Sequence, residues 1–180
     1  TGSNVLSPLG LIGISLFFIS SGFLLATKYS KLEKFSFKWM FKEYVKIASL
    51  YYLAIIAVII LFSRQTYGGS TFLQIAYHFL FLEWIDRPYA YSVISSAWFI
   101  VPLLGLYLLY PCLNKFIRKN IYLLVVAFII MDIFRFFAGS LSPYNPLFFL
   151  GDFCFGIALA QGKRKSAILI SLLGLIPNPV

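Results

Sequence analysis

Lys34, Lys38, Lys42 and Lys46 recur at every fourth position after an apolar run. Like charges at that spacing repel one another along a helix, so the series needs an anionic counterpart. Anionic lipid on the inner leaflet is one candidate. The phosphates of a nucleotide or of coenzyme A are another. His78 is the only histidine and lies in a short apolar segment near Glu83. It could be a general base or a hydrogen-bonded packing residue. Asp132 and Arg135, three residues apart in an apolar run, share a helical face and can pair. Ionisable residues within apolar spans are functional candidates, and near a helix end they also serve as structural ion pairs. Asp152 follows Gly151 just inside another apolar run, placed to face a polar cavity or an interface. Cys112 and Cys154 lie inside apolar runs and read as packing residues. No Cys/His cluster has metal-ligand spacing, so no metal is expected.

The elements that carry these residues are membrane elements. Of the 180 residues 61% are hydrophobic and only 12% charged, and the mean hydropathy is +0.88. A soluble domain of this length cannot bury that much apolar surface, so lipid is the expected solvent. The net charge of +9 falls in loops between apolar runs, which points to the cytoplasmic face of a cell membrane and not to nucleic acid. The expected spans are Gly10 to Ala26, Ile47 to Phe62, Ala97 to Leu113, Tyr122 to Phe137, Leu147 to Gln161 and one starting at Ser166 to Ile176. Tyr29 to Tyr44 is basic and helix-permissive. Ser63 to Ser70, Asp86 to Ser92, Asn114 to Asn120 and Gly139 to Pro146 read as loops.

Phe72 to Trp84 is too short for a hydrocarbon core of about 30 Å. The basic clusters Lys28 to Lys46, Lys115 to Lys119 and Lys163 to Lys165 should share the cytoplasmic side. The chain must then cross an even number of times between them, which again makes Phe72 to Trp84 re-entrant or interfacial. The expected fold is all-α: a polytopic transmembrane helix bundle of about six spanning helices plus one short segment, within a single membrane domain over residues 1–180.

The order of motifs resembles the membrane acyltransferase 3 family over most of the chain. "GISLFFISSGFLLA" is similar to that family's G-V-D-L-F-F-x-x-S-G-F signature, with Gly13, Leu16, Phe17, Phe18, Ser21, Gly22 and Phe23 in register and Ser15 at the acidic position. The family's R-x-x-x-R-I-x-P-x-Y series is represented by Lys42, Lys46, Ile47, Ser49 and Tyr51. "WFIVPLLGLYLLYP" keeps Trp98, Tyr107, Leu108 and Pro111 of a W-S-L-x-V-E-x-x-F-Y-L-x-x-P pattern, with Leu103 at the glutamate. Pro146 to Ala160 resembles a later F-x-x-G-x-x-x-A helix.

The resemblance implies a membrane-bound O-acyltransferase. Its donor would be cytoplasmic acyl-coenzyme A, with acetyl-coenzyme A expected. Its acceptor would be a hydroxyl of a sugar, cell-surface glycan or lipid-linked sugar. Lys42 and Lys46 would contact the donor phosphates. The family's catalytic histidine precedes the first signature, and Thr1 to Leu9 contain none. The resemblance therefore implies a catalytically incomplete fragment of a longer acyltransferase domain, with the base on an upstream helix; His78 falls on no motif of the family and is a candidate base from its residue type and setting alone. A transporter or flippase-like protein, with Asp132, Arg135 and Asp152 along its pathway, and a non-catalytic family member are the alternatives.

Overall fold

A computed structural model of the chain describes residues 6–62, 72–82, 99–137 and 145–173. The described residues form seven α-helices and one 3-10 turn: α1 Leu6–Lys28, α2 Phe37–Phe62, α3 Phe72–Phe79, α4 Ile100–Lys119, α5 Leu123–Phe137, the 3-10 turn Pro146–Phe149, α6 Leu150–Ala160 and α7 Arg164–Leu173. The all-α expectation holds over these residues. By length and composition, α4 is the one helix among them long and apolar enough to cross a membrane. Ile12–Lys28 and Pro146–Ala160 are shorter apolar helices. The expected loops Ser63 to Ser70 and Asp86 to Ser92, most of Gly139 to Pro146, and the residues Glu83 and Trp98 lie outside the described residues.

The chain divides within α4 into two compact units. The first contains α1, α4 from Gly105 onward, α5, α6 and α7. Its core is the contact of α1 with α6. Gly22 lies against the Phe153 carbonyl and Gly156 against the Ile19 carbonyl, so the two backbones touch. Small residues permit this approach where lipid supplies no hydrophobic drive between helices. Phe18 stacks on Phe149 at 4.2 Å between ring centroids.

Side chains from α4 reach the carbonyls at and just beyond the end of α1, two of which also accept backbone N–H groups. Tyr110 Oη donates to the carbonyls of Leu25 (3.3 Å) and Tyr29 (3.0 Å). Asn114 Nδ2 donates to those of Ser30 (3.1 Å) and Leu32 (3.0 Å). Gln161 Nε2 closes the network by donating to Asn114 Oδ1 at 2.8 Å. These bonds explain why Asn114 to Asn120 is not the loop its composition suggests: Asn114 is fully buried and helical, and α4 runs on to Lys119. Pro111 sits inside α4 instead of ending it. Proline in a helix within lipid is tolerated where neighbours re-satisfy the freed backbone.

The second unit contains α2, α3 and the start of α4. The basic stretch and the second expected span form one helix of 26 residues, about 39 Å long. Ser36 starts it, its Oγ accepting from Trp39 N at 3.5 Å. Lys34 therefore lies before the helix, and the stripe is Lys38, Lys42 and Lys46. Ala48, Tyr51, Ile55 and Phe81 form the core of this unit.

Helix α3 ends in a Schellman arrangement, with Leu82 N donating to the Tyr77 carbonyl and Phe81 N to that of His78. The residue at its left-handed position is Phe81, with φ 54°, where glycine is usual. Stacking on Tyr51 at 5.0 Å offsets the strain. The matching turn after α6 uses Gly162, φ 77°.

Candidate functional site

Helix α2 presents two faces. Lys38, Lys42 and Lys46 step round the axis by about 40° per repeat and are exposed. Tyr44, Tyr51 and Tyr52 lie on the side that packs against α3. Among the described residues Lys38 and Lys42 form no ion pair. Lys46 Nζ is bound to Glu43 Oε1 at 2.5 Å, and the Glu43 side chain is only 8% exposed. The ladder is thus partly neutralised from within. The i, i+3 spacing of Glu43 and Lys46 is the sequence signal for this pair.

His78 faces inward. It is 1% exposed, and its Nδ1 lies 2.8 Å from Tyr51 Oη. Tyr52 Oη donates to the Phe79 carbonyl at 2.8 Å and shares a hydrogen bond with Tyr44 Oη at 3.1 Å. The tyrosine of the lysine–tyrosine series therefore meets the only histidine, a pairing that sequence spacing did not reveal. This network clamps α3 onto α2. A histidine so enclosed does not meet a substrate hydroxyl without local opening.

Within the first unit the charged residues of the apolar helices converge. Arg135 does not take Asp132 as its ion-pair partner: its Nη2 donates to Asp152 Oδ2 at 3.2 Å and its Nε to the Phe148 carbonyl at 3.0 Å. Asp152 offers a carboxylate fixed on α6 against the guanidinium, whereas Asp132 contributes only its nearby charge. Phe149 lies beneath the guanidinium, 5.9 Å from ring centroid to Cζ. The Ser15 side chain lies close enough to Asp152 to favour its charged form. A carboxylate thus stands beside the position where the family pattern carries an acid, supplied from another helix. Asp152 is buried, with 9% of its surface exposed.

Leu103, at the pattern's glutamate position, is buried among the apolar residues. Cys154 is buried as expected, but Cys112 is exposed and is not a packing residue. Among the described residues no group of three or more His, Cys, Asp or Glu side chains could hold a metal ion.

No curated protein and no solved structure matches the chain. The acyltransferase domain of the acyltransferase 3 family matches residues 1–176. That match spans nearly the whole sequence and includes the double-glycine contact of α1 with α6, the lysine–tyrosine series of α2 and the Pro146 to Ala160 helix. The chain belongs to the acyltransferase 3 family.

Proposed function

We propose that the whole protein is a multi-pass membrane O-acyltransferase that moves an acyl group from acyl-coenzyme A to a hydroxyl of a sugar or similar acceptor. Lys42 and Lys46 would hold the donor phosphates. The observation that carries this reading is the exposed lysine face of α2 in a chain whose family transfers acyl groups. Lys42, with no ion-pair partner among the described residues, offers its full charge. Lys46 has to share its ammonium with Glu43.

A charge-assisted hydrogen bond contributes about 1.5–3 kcal/mol, and 1.4 kcal/mol is about tenfold in affinity. Lys42→Ala in the full-length protein should therefore weaken donor binding about tenfold or more. Lys34→Ala, lying off the helix, should leave it unchanged. Isothermal titration with acetyl-coenzyme A reads both. Equal small losses at the two positions would favour lipid anchoring by the whole basic segment.

Multi-pass insertion is supported by exposed apolar side chains on several helices, among them Leu24, Leu50, Leu53, Ile60 and Phe136, each 63% exposed or more. In lipid such side chains are solvated; in water they would form a large apolar patch. Six spans and one short non-crossing segment would put Ser36 and Gly69 on opposite sides. In a background without Cys112 and Cys154, single cysteines at these two positions should react with a membrane-impermeant maleimide from opposite faces. Reaction of both from one face overturns this topology. The transporter alternative gains little from Arg135 and Asp152, because the two charges satisfy each other.

A further inference from the structure

An apolar groove of about 180 Å³ lies among α4, α5 and α6 in the first unit. Leu113 and Ile117 line it from α4, Val126, Ala127 and Ile130 from α5, and Cys154 from α6. No side chain in that set can bind water well, so an apolar occupant suits it better than solvent. Along α5 the groove extends about 10 Å, from Leu123 to Ile130. At its rim Phe116 and Val126 are 51% and 46% exposed, and Tyr122 and Ile129 beside them are 71% and 51% exposed. The mouth therefore opens on a surface suited to lipid.

A cation is tethered to the backbone of one groove wall. Lys163 Nζ donates to the Ile117 carbonyl at 2.6 Å and the Arg118 carbonyl at 2.9 Å, and Ile117 is itself part of the groove wall. An ammonium has three donors, so one is left for a further acceptor. Arg164 and Lys165 follow Lys163, Lys119 follows Arg118, and all three are exposed. Partial burial pulls the pKa of Lys163 below the ordinary lysine value, a cost that an adjacent anion would offset.

We propose that the groove holds one acyl chain of an anionic phospholipid whose headgroup phosphate sits against Lys163. The apolar wall receives the chain, and the third ammonium donor receives a phosphate oxygen. The surrounding cations favour a lipid with net negative charge. The inference rests on membrane insertion but not on the donor site assigned to α2.

The test uses the full-length protein in nanodiscs carrying tail-photoactivatable phosphatidylglycerol or phosphatidylcholine, with crosslinks mapped by peptide mass. Phosphatidylglycerol should label the groove walls around Ile117 and Ala127 about fivefold or more above phosphatidylcholine. Lys163→Gln should remove most of that preference. Ala127→Trp should suppress labelling by filling the groove. Val126→Trp, at the exposed rim, should do the same by closing the mouth if the buried variant fails to fold. Equal labelling by the two lipids, or labelling that survives both tryptophans, would mean an ordinary lipid annulus and overturn the proposal. Displacement of the phosphatidylglycerol signal by excess acyl-coenzyme A would assign the groove to the donor's chain and would also overturn it. Loss of donor binding in Lys42→Ala with groove labelling intact would separate the two sites.

Discussion

Gly156→Val should prevent the full-length protein from accumulating in a folded state, and Gly156→Ala should cost it about 3 kcal/mol or more. A Cβ at Gly156 would collide with the Ile19 carbonyl oxygen and lie 2.8 Å from Phe23 N. At Gly22 it would collide with the Phe153 carbonyl. Both obstacles are backbone, which cannot rotate away as a side chain can. The helices would have to separate, and the whole α1–α6 face would lose its packing. In lipid, where close packing itself drives helix association, little replaces that loss.

Gly22→Ala should behave like Gly156→Ala, and the double variant should cost less than the sum because both act on one contact. Gly13→Ala is the control. It lies on the same helix, and a Cβ there would meet nothing within 4 Å, so alanine should be neutral or stabilise by up to about 1 kcal/mol. Thermal unfolding of detergent-purified protein measures the series. Equal sensitivity at Gly13 and Gly156 would refute the close-contact account.

Asp152→Ala should destabilise the protein by about 1–3 kcal/mol. It leaves the Arg135 guanidinium, 31% exposed, over Phe149 with the Phe148 carbonyl as its remaining acceptor. Asp152→Asn should be intermediate, keeping a hydrogen-bond acceptor but losing the charge. Asp152→Leu combined with Arg135→Met should recover most of the loss, because replacing a buried pair costs far less than breaking it. Asp132→Ala should be mild, since that carboxylate accepts no hydrogen bond among the described residues. Scanning calorimetry of the four variants decides the matter. A double variant as unstable as Asp152→Ala would mean that the pair is not the source of the cost. A stable double variant that has lost acyl transfer would instead give the pair a functional part.

The class of the protein was legible in composition, because apolar content beyond what a chain of this length can bury leaves lipid as the matching solvent. The helical periodicity of the lysines was also legible, as was the family signature with its glycines. These are local or additive properties, which a linear string carries in full.

Other features depend on groups far apart in the chain. The pairing of Arg135 with Asp152 and not Asp132 was decided by which carboxylate the folded helices hold against the guanidinium. The meeting of His78 with Tyr51 joins residues 27 apart. The extension of α4 through Asn114 was settled by carbonyls 82 and 84 residues earlier that its amide satisfies. The sequence by itself determined the solvent, the secondary-structure type and the family. Only the tertiary structure decided which charges are spent on one another and which, like Lys42, form no ion pair among the described residues, because an ion pair or a buried hydrogen bond forms by distance in space and not by spacing along the chain.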